Sequence, residues 1–201
     1  MDRLHSSPEL LWALAGVAAA SAYWYISSYR KIKIAVEKRP RFIGSDLEIA
    51  YLHVTGPYKE AYCKLLKFTG KINEEFIGFG AYYDCPGEIP EDKLQCAVGI
   101  VLKVNEDMVT SKELRSRLSA LGLKTLKTKG ISQSLTTTRS FSIVSMIIRS
   151  IPSTYFAISN YAKKHGLSTE TVAIEFYEHG NMIIHTPLDG QEQFIVPEAK
   201  K

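Results

Sequence analysis

The chain has 201 residues, of which 45% are hydrophobic and 23% are charged. These proportions exclude a disordered or fibrous chain, and the length allows an anchor plus one sizeable domain. The formal net charge of +4 is too small to indicate nucleic acid as a partner. Three cysteines without CxxC spacing and five histidines without metal-site spacing predict no disulfide framework, no metal and no cofactor. The cysteines favour a reducing compartment.

The first predicted element is an apolar helix over residues 10–29, a stretch without any charged residue. At about 1.5 Å per residue this helix spans about 30 Å, which matches the hydrocarbon core of a bilayer. Aromatic residues crowd its C-terminal end, as they do at membrane interfaces. We therefore predict a transmembrane helix, with residues 1–9 as a short lumenal N-terminus and residues 30–41 as a basic juxtamembrane linker.

The orientation of this helix follows from its flanks. The basic residues directly after it are Arg30, Lys31, Lys33, Lys38, Arg39 and Arg41. Because positive flanks stay on the cytosolic side, the C-terminal domain is predicted to be cytosolic. The alternative is a cleaved secretory signal, since residues 20–22 resemble a cleavage site. A signal carries its positive charge before the apolar run, so the sequence favours the anchor.

The first half of the domain reads as strand, helix, strand, strand. Alternating residues over 47–54 predict a strand that ends at Gly56. Apolar residues at spacings of three and four over 58–68 predict a helix. The aromatic segment 76–84 and the run 95–104 then predict two adjacent strands.

The second half of the domain then begins with a helix. Ser111 can cap this helix at its N-terminus, and Gly122 ends it. A strand follows within residues 133–141. Residues 143–164 then predict a long apolar helix that is broken at Pro152.

A hairpin completes the second half, with strands at 172–177 and 182–185 around a turn at His179-Gly180-Asn181. The order strand, helix, strand, strand therefore occurs twice. This duplication predicts an α+β domain with a mostly antiparallel sheet and the two long helices on one face.

Two groups of residues resemble the GyrI-like domains, which are small-molecule-binding modules built from two strand-helix-strand-strand units. The first group comprises residues 81–86, 89–93 and 96–99. The second comprises residues 174–177, Ile184 and 186–188, which are similar to the family's Glu-x-Tyr strand and its closing segment. Together with the predicted anchor and residues 194–198, the arrangement resembles the testis-expressed protein 264 branch. Members of that branch are endoplasmic reticulum membrane receptors for selective autophagy (reticulophagy).

The resemblance implies a duplicated GyrI-like (SHS2) domain over residues 42–201, a single-pass endoplasmic reticulum location, and autophagy modifier proteins as partners. In those receptors the modifier-binding motif lies in a long acidic tail after the domain, whereas this chain ends at Lys201. Residues 141–144 have an aromatic-x-x-aliphatic pattern, but they fall inside a predicted element. A folded segment is not free to add as an extended strand to a partner. The resemblance thus implies fold and location more directly than receptor activity.

A candidate ligand-binding cleft is predicted where the two halves meet. Glu175 and Tyr177 are two residues apart on a strand and share one face. Tyr82 lies on the corresponding strand of the first half, and Tyr51 on the first strand is predicted to line the same wall. Members of the resembled family hold cationic or planar ligands in this cleft with a glutamate and aromatic rings. The alternative from the residues themselves is that Glu175 is a solvated strand residue beside half-buried tyrosines.

The sequence favours a non-enzymatic binding or adaptor domain on the membrane. Two alternatives stay open: a small-molecule-binding or hydrolytic domain that uses Glu175, and a domain that assembles only with a partner. The chain has no GxSxG motif, no phosphate-binding glycine loop followed by Lys-Ser or Lys-Thr, and no Cys/His/Asn signature. Asp84 is interpreted as a turn former rather than a catalytic acid.

Overall fold

The computed structural model describes residues 12–13, 15–19, 21, 32–69, 75–140, 150–168 and 172–199. The chain divides into two compact units, Met1–Ile32 and Lys33–Lys201. In the first unit the described residues between 12 and 21 are helical. Among all described residues, no helix has both the length and the apolar character needed to cross a membrane. The rest of the predicted span 10–29 lies outside the described residues.

The second unit contains both α-helices and β-strands. Its described α-helices are α1 (Tyr58–Thr69), α2 (Lys112–Ala120) and α3 (Ser150–Lys164). Its described strands are β1 (Ala35–Lys38), β2 (Leu47–Thr55), β3 (Gly78–Tyr82), β4 (Gln95–Val104), β5 (Asp107–Met108), β6 (Lys124–Thr128), β7 (Gln133–Ser140), β8 (Ala173–Glu178) and β9 (Asn181–Pro187). Short 3₁₀ helices lie at Glu91–Lys93, Gln191–Phe194 and Pro197–Ala199.

The strands form one sheet in the order β1-β7-β9-β8-β3-β4-β2-β6, with β5 beside β4. The paired strands run antiparallel. The unit β2-α1-β3-β4 and the unit β7-α3-β8-β9 occupy mirrored positions, so the two halves meet where β3 pairs with β8. The predicted α+β class and the mostly antiparallel sheet are confirmed.

The helices cover one face of the sheet. Ala61 of α1 packs in a cluster with Cys96 and Val98 of β4. In the same way α2 packs through Leu114 and Leu118, and α3 packs through Ile158 and Ala162. The opposite face is covered by the C-terminal segment, and its core includes Phe79, Phe176, Ile174, Phe194 and Val196. Each fully buried side chain of this size contributes about 1.5–3 kcal/mol to stability.

Local signals placed several boundaries correctly. The Ser111 hydroxyl accepts a hydrogen bond from the Leu114 backbone N–H at 3.0 Å, which caps α2 as predicted. The hairpin turn between β8 and β9 contains His179 and Gly180, with φ angles of 47° and 72°. Two consecutive residues with positive φ match the right-handed twist of the flanking strands.

Four features differ from the sequence prediction, the smallest being the unpredicted two-residue strand β5. Strand β1 lies inside the range 30–41 that was assigned to a linker, and it pairs with β7 at the sheet edge. Strand β6 was not predicted, because its sequence Lys-Thr-Leu-Lys-Thr is mostly polar and exposed. Helix α3 continues through Pro152 without a break there, since a proline in the first turn removes no intrahelical hydrogen bond. Residues 143–149 of the predicted helix lie outside the described residues.

The titratable side chain of His185, on β9, is fully buried, with 0% of its surface exposed. Burial lowers the pKa of His185 from 6.5 to about 3. In the unfolded chain this ring takes up a proton as the pH falls below about 6.5, whereas in the folded chain it stays neutral. Protons therefore favour the unfolded state between these two pKa values.

We expect His185 to make the free energy of unfolding fall by up to about 1.4 kcal/mol for each pH unit below about pH 6. Urea unfolding of the wild type and of His185→Gln between about pH 4 and pH 8 measures this slope, since other groups titrate equally in both proteins. His165→Gln, at an exposed position, is the matched control. Identical slopes for wild type and His185→Gln would show that this ring is not kept neutral.

Candidate functional site

The pairing of β3 with β8 builds the floor of the candidate site. Gly80 lies opposite Glu175, and Gly78 lies opposite Tyr177. A Cβ on Gly80 would approach Cε2 of Tyr82 to 2.9 Å, and a Cβ on Gly78 would approach Cβ of Tyr177 to 3.2 Å. The two glycines therefore leave the space above β3 that the tyrosine rings occupy.

A carboxylate and three phenols form the site itself, named here the tyrosine cluster: Glu175, Tyr82, Tyr155 and Tyr177. Glu175 is a charged residue on β8, yet it is only 3% exposed. Its Oε1 accepts a hydrogen bond from the Tyr155 hydroxyl, and its Oε2 accepts one from the Tyr177 hydroxyl. The Tyr82 and Tyr177 hydroxyl oxygens are 3.1 Å apart. Both carboxylate oxygens are thus satisfied by phenol donors.

Each long helix supplies one ring to this region. Tyr155 comes from α3, and Tyr58 is the first residue of α1. The Tyr58 ring meets the Tyr82 ring edge to face, with centroids 4.8 Å apart. The Tyr58 hydroxyl donates to the Asp84 carbonyl oxygen at 2.7 Å. The Asp84 carboxylate accepts from the Gln95 backbone N–H at 2.7 Å, which agrees with its interpretation as a turn former.

The electrostatics of the tyrosine cluster are dominated by burial. Burial raises the pKa of Glu175 above 4.5, and the phenol hydrogen bonds oppose that rise. Burial, with the Glu175 charge next, raises the pKa of Tyr82, Tyr155 and Tyr177 well above 10.0, so these phenols remain donors. Within the part of the chain that the structure describes, Glu175 forms no ion pair with a lysine, arginine or histidine. A buried carboxylate without an ion-pair partner attracts a cation. A carboxyl group with a raised pKa is also suited to proton transfer.

The structure brings three of the four predicted site residues together. Tyr82, Glu175 and Tyr177 are in contact, and Glu175 is not the solvated strand residue of the alternative interpretation. The predicted placement of Tyr51 is wrong. Tyr51 pairs with Gly99, which pairs with Phe79, so it projects from the face opposite the tyrosine cluster. There its hydroxyl donates to Oε2 of Glu198 at 3.1 Å.

Sequence reasoning missed Tyr155, the neighbouring ring of Tyr58 and two glycines. Tyr155 was assigned only to the apolar stripe of a helix, and nothing local shows that its hydroxyl reaches Glu175. Gly78 and Gly80 carried a usable signal, because glycines at alternate positions of an aromatic strand mark a place where bulky groups approach the backbone.

Comparison with known proteins supports both the fold and the resemblance. The chain is 28% identical over 156 residues to human testis-expressed protein 264 and 26% identical over 156 residues to the mouse homologue. The match covers 78% of this chain, and the chain spans about half the length of these curated relatives. No family model matches the chain.

A solved structure shows the same fold at low identity. The EcmrR C-terminal domain is similar with a TM-score of 0.50 and 13% identity, over 79% of this chain and 98% of that domain. At that identity the likeness concerns the fold alone, and it is consistent with the GyrI-like architecture that the motifs predicted. The chain is therefore similar to testis-expressed protein 264, and its α+β fold is like that of the EcmrR C-terminal domain and consistent with a GyrI-like architecture.

Proposed function

We propose that this protein is a non-enzymatic binding adaptor whose GyrI-like domain is held on the cytosolic face of the endoplasmic reticulum by residues 10–29. The homology to testis-expressed protein 264 supports this assignment. The apolar, uncharged stretch and the basic residues that follow it support the anchor and its orientation. In this proposal the adaptor takes part in selective autophagy of that membrane, with autophagy modifier proteins as partners.

The geometry that carries the binding function is the tyrosine cluster. A carboxylate that is 3% exposed, held by phenol donors and lacking a basic partner among the described residues, is a costly arrangement for the fold alone. The aromatic rings and the negative charge of the tyrosine cluster are complementary to a small planar or cationic ligand, which gains from both the charge and the ring faces. We therefore assign such a ligand to the site.

Protease added to intact microsomes is expected to digest the domain, because the basic residues after Tyr29 keep it on the cytosolic side. Immunoblotting with an antibody against residues 181–199 measures the loss of the domain. A lumenal marker protein must survive the same treatment. Full protection of the domain until detergent is added would contradict the proposed orientation.

Partner binding is tested by co-purification with autophagy modifier proteins from cells that express the full chain. The matched comparison is a chain with residues 141–144 changed to alanine, since those residues carry the aromatic-x-x-aliphatic pattern. Recovery of the modifiers with the wild type supports the receptor role. If neither protein recovers the modifiers, the receptor role is contradicted.

Hydrolysis is the second candidate function, and the raised pKa of Glu175 favours it, because a carboxyl that titrates nearer neutrality is a better general acid or base. Turnover of small esters or amides that is lost in Glu175→Gln would establish it. Ligand binding without turnover would support the adaptor.

A further inference from the structure

A cavity lies where the loop after β1 meets the segment that leads from β6 into β7. Its volume is about 460 Å³, which falls within the ordinary range for small-molecule sites, about 300–1,000 Å³. Its wall is formed by Lys38, the next residue Arg39, Gly44 and residues 130–133. None of these residues belongs to the tyrosine cluster, and the proposed function does not use this cavity.

Backbone hydrogen bonds hold the two sides of the cavity at a fixed separation. The Arg39 N–H donates to the Ser132 carbonyl oxygen at 2.8 Å. A second bond runs from the Ile131 N–H to the Ile43 carbonyl oxygen, also at 2.8 Å. Because the backbone fixes both sides, the cavity is formed before a ligand enters, which lowers the entropic cost of binding.

The wall of the cavity carries two positive charges and no negative charge. Lys38 and Arg39 are both exposed residues, so their side chains reach solvent and are accessible to a ligand. Neither side chain forms an ion pair within the part of the chain that the structure describes. The two cations are therefore available to bind an anion.

Two carboxylates adjoin the cavity without belonging to its wall. Asp189 accepts hydrogen bonds from the backbone N–H groups of residues 132 and 133, at 3.0 and 2.9 Å. Asp46 accepts one from the Gly130 N–H at 3.2 Å. Both carboxylates thus hold the wall in place, and their charges weaken the attraction of an anion at long range. An anion must therefore contact the two cations directly in order to bind.

The backbone of Arg39 indicates that its side chain has a role. Its φ angle is 49°, in the left-handed region, which penalises residues with a Cβ and suits glycine. Within the described residues the Arg39 side chain makes no ion pair that would offset this strain. An arginine in a conformation that suits glycine is explained if its guanidinium group binds a ligand.

We propose that this cavity binds a phosphate monoester, carried either by a small soluble molecule or by a lipid headgroup. A phosphate monoester has a charge of about −1.5 to −2 at pH 7, which the two cations balance. The planar guanidinium of Arg39 can donate two parallel hydrogen bonds to its oxygens, and the Lys38 ammonium adds a compact charge. The Gln133 amide, in the same wall, is a further donor. Because Lys38 and Arg39 follow the proposed anchor closely in sequence, a lipid headgroup is one of the two sources.

The test is titration calorimetry of the full chain in a non-ionic detergent, with the heat of uptake by protein-free detergent subtracted. The probes are glycerol 3-phosphate as the soluble source and dioctanoyl phosphatidic acid as the lipid source. Their counterparts without a phosphate monoester are acetate and dioctanoyl phosphatidylcholine. We expect at least one phosphate monoester to bind saturably, and at least about tenfold more tightly than its counterpart. Tighter binding of glycerol 3-phosphate identifies a soluble ligand, and tighter binding of phosphatidic acid identifies a headgroup.

Arg39→Gly is the decisive variant, because it removes the guanidinium group and suits the left-handed backbone at this position. We expect it to bind the phosphate monoester at least about tenfold more weakly, which corresponds to the loss of a hydrogen bond between charged groups. Its midpoint of urea unfolding should be no lower than that of the wild type, which shows that the loss of binding is not a loss of folding.

Lys127→Gln is the matched control, since it removes one positive charge at an exposed position outside the wall. This variant should bind the phosphate monoester like the wild type. The absence of saturable binding with both phosphate monoesters, or equal affinity in Arg39→Gly, would overturn the proposal. A loss of affinity in Lys127→Gln as large as in Arg39→Gly would overturn it as well, because it would show a general effect of charge and no site.

Discussion

Replacing Gly99 with alanine is expected to destabilise the domain by about 4 kcal/mol or more, a large part of the total stability of a domain of this size. Gly99 lies in the middle of β4, where β2 and β3 pair with it on either side. A Cβ built on Gly99 would lie 1.8 Å from the Ala50 carbonyl oxygen and 2.8 Å from Tyr51 Cα. These atoms belong to the backbone of β2, so neither can move without separating two central strands.

Gly78→Ala is the graded control for this prediction. A Cβ at Gly78 meets side-chain atoms of Tyr177 at 3.2 Å and longer rather than a neighbouring backbone. We expect a loss of about 1 kcal/mol for this variant, which is typical of a single substitution. Urea unfolding of the two variants and the wild type measures both values. A Gly99→Ala protein as stable as Gly78→Ala would contradict the tight approach of β2 and β4.

Much of the fold was predictable because its signals are local. Strands β2 and β4 alternate or run apolar between clear breaks, and the cap at Ser111 and the turn at Gly180 are short-range motifs. Strands β1 and β6 were missed for a physical reason. They lie at the two ends of the sheet order and bury little, since no residue of β1 and only one residue of β6 is buried. An edge strand of that kind is stabilised by pairing with its neighbour, which a local pattern does not reveal.

The candidate site was predictable to the extent that it depends on one strand. The two-residue spacing of Glu175 and Tyr177 fixes that they share a face. Which residues of other strands share that face depends on register, and register is set by long-range pairing. For this reason Tyr82 was placed correctly and Tyr51 was not, although both are tyrosines on strands of the first half. The contribution of Tyr155 depends on how α3 docks on the sheet, which also lies beyond local sequence.

Replacing Glu175 with glutamine is expected to weaken binding of a planar cation by about 1.5–3 kcal/mol, or about 10-fold to 150-fold. Glutamine keeps the shape of the side chain and removes the charge that attracts the ligand. Stability at neutral pH should not fall, since burial raises the pKa of Glu175 and so opposes its ionised form in the folded state. The ionised carboxylate thus lowers stability as the pH rises above about 4.5, and glutamine lacks this pH dependence.

The matched control is Glu91→Gln, which removes the same charge at an exposed position outside the tyrosine cluster. Tyr155→Phe removes one phenol donor to Glu175 and leaves the charge in place. It should therefore alter affinity less than Glu175→Gln does.

Titration calorimetry of planar cations against the full-length wild type, Glu175→Gln and Glu91→Gln tests the central claim that the tyrosine cluster is a ligand site. We expect at least one planar cation to bind the wild type and Glu91→Gln with equal affinity, and to bind Glu175→Gln at least about tenfold more weakly. Equal affinity for all three proteins, or no binding by the wild type across the panel, would contradict the claim.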